Sequence, residues 1–310
     1  MQVFRGLPLC TGAPIALTIG NFDGVHRGHQ AMLARLCEAA DDLALPPAIL
    51  TFDPPPREFF AKTSAPARLS SVRDKIERFK AGGVARTYVA RFDTELASLP
   101  PETFVDDILV RRLGVRWLLV GEDFRFGKGR AGDLSLLRRN ARTFSVEAMP
   151  TVAINGERAS STAVRTALAA GDLVRAGALL GRPFVISGRV AHGARLGREL
   201  GFPTANICLR HKPPVAGIFA VRVHGLGASP LTGVASVGVR PTVTASSIPL
   251  LEAFIFNFNQ TIYGQRVGIE FLHKLRDEQR FADMEALVQQ MQSDVTQARE
   301  YFSATSAVQH

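Results

Sequence analysis

The 310-residue chain is poor in cysteine, tryptophan and tyrosine, with three, one and three of each. Cys10, Cys37 and Cys208 are odd in number and far apart, which suits neither a disulfide framework nor a zinc site of CxxC spacing. No tightly bound structural metal is expected, and a reducing compartment is the expected setting. No apolar run approaches the ~20 residues that cross a bilayer, so no membrane association is expected. The opening residues, MQVFRGLP, have no basic segment followed by a long apolar stretch. A secretory leader is therefore not expected, and the expected localisation is cytoplasmic. Acidic residues are in deficit: 37 Lys+Arg face 28 Asp+Glu, a formal charge of +9. That surplus points to an anionic partner. A nucleic-acid binder would gather its charges on one face with aromatics between them. Here the basic residues are scattered, and the dense clusters are short, such as Arg111-Arg112 and Arg138-Arg139, so no nucleic-acid partner is expected.

What is present is an ordinary globular composition, 46% apolar and 21% charged, in a length that favours two domains. The first half alternates strand and helix signals. Strands are expected at 13–20, 47–52, 86–90 and 117–121, and helices at 28–43, 71–81 and 105–113. Ser71 is the expected N-cap of the second helix and Gly82-Gly83 its stop. This alternation implies a parallel sheet covered on both faces, with ligands at the carboxyl ends of its strands. A helical stretch over 161–180 closes at Gly181-Arg182-Pro183. Short β-rich runs follow at 184–190, 217–223, 231–239, 250–258 and 266–271, read as an antiparallel barrel or sandwich. A helix over 281–301 ends the pattern. The expected domains are 1–183 and 184–310.

The segment GNFDGVHRGHQ (20–30) follows an expected strand and opens an expected helix. Its glycines, Gly20, Gly24 and Gly28, let backbone N–H groups approach a phosphate, and a helix N-terminus adds partial positive charge. His26 and His29 can donate hydrogen bonds to phosphate oxygens as charge builds in a transition state. Ser160, Ser161, Thr162 and Arg165 open another expected helix, a second natural phosphate site. In the later half, GARLGRELGFPTAN (193–206) holds Gly193, Arg195, Gly197, Arg198 and Gly201, a cationic glycine-rich loop suited to ATP phosphates. Thr204 and Asn206 are hard oxygen donors suited to Mg²⁺ held with those phosphates.

The HxGH pattern at His26–His29 resembles the signature of the nucleotidylyltransferase superfamily. The longer run, with TFDPPPREFF (51–60), VGEDFRFGKGR (120–130) and SSTAVR (160–165), resembles the bacterial bifunctional riboflavin kinase/FAD synthetases. The loop at 193–206 resembles their kinase signature, and LEAFIFNF (251–258) their LEVHLFDF block. The resemblance covers nearly the whole chain. It implies an α/β nucleotidylyltransferase-like parallel-sheet domain followed by an antiparallel β-barrel domain with a C-terminal helix. It implies phosphorylation of riboflavin to FMN and adenylylation of FMN to FAD, with ATP as co-substrate and Mg²⁺ as its companion. Under that reading His26, His29, Gly20, Asn21, Phe22, Asp23, Gly24, Gly28, Ser160, Ser161, Thr162 and Arg165 form the adenylylation site. Asp123 and Arg125 orient flavin and nucleotide, and Glu252 is the general base toward the riboflavin 5′-hydroxyl.

The chain departs from the family pattern at four places. Pro55 stands where the family block has histidine. Ser236 replaces a frequent asparagine, Phe254 a histidine and Asn257 an aspartate. The last three motivate an alternative: an FMN adenylyltransferase with a weakened, flavin-binding barrel. The oligomeric state and any direct passage of FMN between sites stay open.

Overall fold

A computed structural model describes residues 1–10, 12–61, 64–192, 201–239 and 249–307. The chain divides into two compact units. The first holds 1–66 and 70–161, and the second holds 67–69 and 162–310.

The first unit is built on a six-stranded sheet in the order β1-β4-β3-β2-β5-β6, every pair parallel. The strands are β1 (Gln2–Arg5), β2 (Ile15–Ile19), β3 (Pro47–Asp53), β4 (Arg86–Arg91), β5 (Val115–Gly121) and β6 (Ser145–Met149). Every residue of β2 is buried, as a central strand covered on both faces requires. Its side chains alternate between two cores. Ile15, Leu17 and Ile19 join Leu50, Val105 and Leu118 on one face. Ala16 joins Leu33, Leu36, Ile49, Phe79 and Leu119 on the other.

Helix α1 (Arg27–Asp42) supplies Leu33, Leu36, Ala39 and Ala40 to that second core, a stripe at helical spacing. The short α2 is Pro56–Ala61. Helix α3 (Val72–Ala81) starts where expected: the Ser71 hydroxyl accepts from Asp74 N–H, and the Asp74 carboxylate accepts from Ser71 N–H. Helix α4 is Thr94–Ser98. Helix α5 runs through Pro101–Thr103 into a wide-turn segment, Phe104–Arg112, and α6 is Leu134–Asn140. The hairpin β7 (Ala153–Ile154) and β8 (Glu157–Arg158) turns at Asn155 and Gly156, both at positive φ, the geometry that favours Asn-Gly.

The sheet order fixes where a ligand can bind. From β2 the chain steps outward to β3 and β4 on one side, while β5 and β6 lie on the other. The carboxyl ends of β2 and β5 therefore flank the switch point, where an open parallel sheet leaves a crevice.

The second unit opens with α7 (Ser161–Ala169), whose first residue belongs to the first unit, and α8 (Leu173–Leu180). The single helical stretch expected over 161–180 is broken. Gly171 takes a left-handed φ of 76°, and the Asp172 side chain accepts from Arg175 N–H to begin a fresh helix. Helix α8 packs on β9 (Phe184–Ala191) and β14 (Arg266–Arg276). With β10 (Thr204–Cys208), β11 (Gly217–His224), β12 (Leu231–Val239) and β13 (Pro249–Ile255), these form a closed antiparallel barrel in the order β10-β13-β12-β11-β14-β9. Leu251, Ala253 and Ile255 point into the barrel, while Leu250, Glu252 and Phe254 face outward. The C-terminal helix (Met284–Ala307) lies on β11, β12 and β14. Its Val295, Ala298, Tyr301 and Phe302 pack with Ala220, Val234, Phe254 and Phe256. A bidentate pair, Arg276 to Asp294 at 2.7 Å on both branches, ties this helix to β14.

Candidate functional site

The turn after β2 is strained in a way few loops are. Phe22 and Val25 adopt φ of 49° and 43°, and Gly24 lies between them at 81°. A β-branched residue at positive φ is a genuine outlier, and such backbone persists only where the surroundings impose it. The turn is held from below. The Asp23 carboxylate accepts from Ser70 N–H at 3.1 Å and from its hydroxyl at 3.2 Å. Ser70 Oγ in turn accepts from Gly24 N–H at 2.9 Å. The Ser161 hydroxyl donates to the Asp23 carbonyl at 2.8 Å, which ties Ser161 to the same turn.

His26 is the N-cap residue of α1, but its side chain makes no capping bond. His29 stands one turn on, and the two rings stack at 3.6 Å between centroids. Gly28 permits this. A Cβ there would lie 3.2 Å from the Ala159 carbonyl oxygen and 3.3 Å from the His26 ring. The His29 Nδ1 is buried and meets no hydrogen-bond partner among the described residues. Burial holds the His29 pKa well below the usual histidine range, and the neighbouring His26 and Lys75 push the same way. His29 is thus a neutral imidazole near pH 7, able to donate through one nitrogen.

Both histidines line a cleft of about 220 Å³ at the switch point. Gly20, Phe22 and Gly28 come from the strained turn, Gly121, Glu122 and Asp123 from the end of β5, and Ser160 from the start of SSTAVR. So the cleft gathers seven of the expected residues: Gly20, Phe22, His26, Gly28, His29, Asp123 and Ser160. Asn21, Asp23, Gly24 and Ser161 serve the turn or its supports rather than the wall. Arg125 is ion-paired with Asp133 at 3.8 Å and is not among the lining residues. Thr162 and Arg165 belong to the second unit, where Arg165 Nε donates to the Ala67 carbonyl at 2.6 Å.

The barrel carries a different arrangement. Glu252 on β13 is directly opposite Asn206 on β10 and, on its other side, opposite Ser236 on β12. Three polar residues thus stand in one cross-strand row on the outer face. Thr204 shares a face with Asn206, whose Nδ2 donates to the Thr204 carbonyl at 3.1 Å. Asn206 is only 8% exposed, and its Oδ1 has no hydrogen-bond partner among the described residues. A buried, unsatisfied hard oxygen beside a threonine fits a Mg²⁺ donor set. No group of three His, Cys, Asp or Glu that could hold a metal occurs among the described residues. Gly193, Arg195, Gly197 and Arg198 lie outside the described residues. Gly201 lies inside them, at φ 84°.

Comparison with known proteins decides the family. Residues 11–163 match the model of FAD synthetase, and residues 180–302 that of riboflavin kinase. The chain is 45% identical to the bifunctional riboflavin kinase/FMN adenylyltransferase of Escherichia coli strain K12, over 98% of this chain and 99% of that one. The chain belongs to the bifunctional riboflavin kinase/FMN adenylyltransferase family. The protein of the same name from Pseudomonas fluorescens is 48% identical over 96% of this chain and 97% of its own. A solved structure described as a macrolide-efflux protein from Streptococcus pneumoniae is 28% identical, with a TM-score of 0.78 over 95% of this chain and 97% of that chain. Among the described residues, no helix is long and apolar enough to cross a membrane.

For a member of this family, the departures can now be placed. Pro55 heads α2, its carbonyl accepting from Glu58 and Phe59 N–H at 2.9 and 3.1 Å. Phe254 packs under the C-terminal helix and meets Phe202 edge-on at 5.3 Å. Asn257 lies beyond the end of β13 at φ 53°, a left-handed position asparagine tolerates well. It therefore belongs to a turn beyond the strand. Ser236 is the departure that faces Glu252 directly.

Two features escaped the sequence reading. Arg158 lines the cleft and bonds Asp123 at 2.5 Å, keeping that carboxyl below its ordinary range. Its signal was its place two residues before Ser160. The second is an aromatic cluster at the carboxyl ends of β3 and β4. Phe52, Phe59 and Phe92 meet edge-on at 5.4–5.7 Å, and Phe60, 68% exposed, closes on Phe59 and Phe92 at 5.2 and 5.8 Å. Three of its members fall inside the TFDPPPREFF run.

Proposed function

We propose that the two activities of this riboflavin kinase/FMN adenylyltransferase are divided between the cleft and the barrel row, with residues 1–183 serving adenylylation and 184–310 serving phosphorylation. The observation that carries the reading is the convergence of His26, His29, Gly28 and Ser160 on one cleft at the switch point of a parallel sheet.

In the first reaction a phosphate oxygen of FMN attacks the α-phosphorus of ATP and pyrophosphate leaves. No covalent enzyme intermediate is needed, so catalysis is positioning and charge neutralisation. His26 and His29 donate to the ATP phosphates, and the uncapped N–H groups at the head of α1 face the same anion. Gly20, Phe22 and Gly24 shape the turn, and Asn21 and Asp23 brace it. Ser160, Ser161, Thr162 and Arg165 bind phosphate oxygens, with Arg165 as a fixed fork of donors. Asp123 and Arg125 orient the substrates, Arg158 adds a cation at the wall, and the flat face of Phe60 offers stacking area for an isoalloxazine ring.

In the second reaction the riboflavin 5′-hydroxyl attacks the γ-phosphorus of ATP. Glu252 accepts the hydroxyl proton as the oxygen–phosphorus bond forms. Gly193, Arg195, Gly197, Arg198 and Gly201 cradle the phosphates. Thr204 and Asn206 would hold Mg²⁺, which neutralises phosphate charge when bound with ATP. The strand register supports this pairing of roles, since it sets Asn206 beside Glu252.

The test is a product assay. Purified protein with riboflavin, ATP and Mg²⁺ is expected to yield FMN and then FAD, resolved by chromatography. FAD formed from FMN but not from riboflavin would instead select an adenylyltransferase with a weakened barrel.

A further inference from the structure

Beneath the strained turn lies a lysine that neither reaction scheme uses. Lys75 sits on α3 and is 3% exposed. Burying an ammonium is costly unless its protons are well received, and a leucine there would satisfy packing alone. The Lys75 head is aimed at the turn. Its Nζ donates to the Asn21 carbonyl at 3.1 Å and to Thr51 Oγ1 at 3.4 Å. The Thr51 hydroxyl then donates to the same Asn21 carbonyl at 3.4 Å. These three bonds close a triangle on the peptide that enters the left-handed Phe22.

This placement couples the lysine to the chemistry in two ways. The Asn21 carbonyl is the last backbone acceptor before the strained residues, so anchoring it fixes the path that delivers His26 to the head of α1. The ammonium also acts on His29. The groups around that ring are His26, stacked on it from the turn, Lys75 from α3, the apolar Phe22, and the cleft-wall charges Glu122, Asp123 and Arg158. Of these, His26 and Lys75 both disfavour a charge on His29, after burial itself.

We propose that Lys75 is a positioning residue of the adenylylation site: its buried ammonium anchors the Asn21 carbonyl and sets the electrostatic field beneath the two stacked imidazoles. A fixed charge under a preorganised turn costs no reorganisation when the anionic transition state forms. A neutral anchor could hold the turn but would remove one of the influences that keep a proton off His29, leaving burial and His26 to oppose it alone.

The inference rests on the cleft being the adenylylation site, so the experiment separates the two. In the full chain, Lys75→Met is expected to lower kcat for FAD formation roughly tenfold or more, with the ATP KM changed by less than about threefold. The His29 imidazole titration, followed by NMR without substrates, is expected to move up. Riboflavin phosphorylation serves as the fold control and is expected to stay at its original rate. Lys75→Arg keeps the charge but replaces the compact ammonium with a longer, planar guanidinium of different hydrogen-bond geometry. It should preserve the His29 titration while lowering kcat, and it decides the matter should Lys75→Met fail to fold. A His29 titration unmoved by Lys75→Met, or unaltered adenylylation in either variant, would overturn the role of Lys75. A His29→Ala protein that still makes FAD at the original rate would overturn the site itself.

Discussion

The two sites use opposite ways of bringing residues together. In the parallel-sheet unit the proposed chemistry sits on loops at strand ends. Gly20 and His26 come from the turn after β2, Asp123 from the end of β5 and Ser160 from the segment before α7, and they meet because β2 and β5 flank the switch point. In the barrel the proposed chemistry sits on the strands. Asn206, Glu252 and Ser236 meet because three neighbouring strands share a register. Loop sites can hold strained backbone, as at Phe22 and Val25, and need bracing from beneath. Strand sites are already held by ladder hydrogen bonds, and a one-residue slip would turn the whole row to the other face.

A crossed pair of variants gives the sharpest break between the two. Glu252→Gln keeps the shape and loses the proposed base, so riboflavin phosphorylation is expected to fall by about 10²–10⁴-fold, with FMN adenylylation unaffected. His29→Ala is expected to do the reverse, lowering adenylylation by about 10²–10³-fold and sparing the kinase. Initial rates from riboflavin and from FMN, measured separately, check both. Loss of both activities in either folded variant would mean that the two sites are not independent.

The same contrast governs what the sequence could disclose. The cleft was legible because its residues fall in short runs, GNFDGVHRGHQ and SSTAVR, whose order along the chain is the order in which the turns are built. The central strands of that sheet and the Ser71 cap were also legible, since full burial and capping leave strong local patterns. Strand β1 was missed because it is an exposed edge of only four residues. β10 was missed because it has five residues and its first three, Thr204 to Asn206, end a motif already read as a phosphate loop. The barrel row could not be read at all without register: nothing in LEAFIFNF says that Glu252 faces Asn206. Arg158 and Lys75 were missed for a related reason. Each acts at a distance in sequence, Arg158 on Asp123 and Lys75 on Asn21.

The barrel also depends on a clamp with no counterpart in the motif reading. Asp294 is buried on the C-terminal helix and accepts from both Arg276 and Gln290. Removing its charge would leave the Arg276 guanidinium of β14, only 15% exposed, without its carboxylate partner. Asp294→Asn is therefore expected to destabilise the barrel by about 3 kcal/mol. Urea denaturation followed by loss of kinase activity should show the drop, while adenylylation persists to the original urea concentration. A parallel fall in both would show that the units unfold together.

The smallest expected effect tests whether the cleft wall is electrostatic as well as geometric. Arg158 and Asp123 are both largely exposed, with side chains 56% and 68% accessible, so their mutual bond contributes little to stability. The worth of Arg158 lies in what it can exchange that bond for. A guanidinium beside an anionic substrate forms charge-assisted bonds that a carboxylate partner in the free protein holds ready. Arg158→Ala is thus expected to raise the ATP KM for adenylylation by roughly tenfold, with little change in the melting temperature. The effect should shrink as salt rises, because exposed charges are screened within about 10 Å at 0.1 M. A salt-independent rise in KM would mean that Arg158 shapes the hairpin rather than attracting the substrate. A KM that did not move would leave the cleft's anion binding to the turn, the histidines and the helix ends.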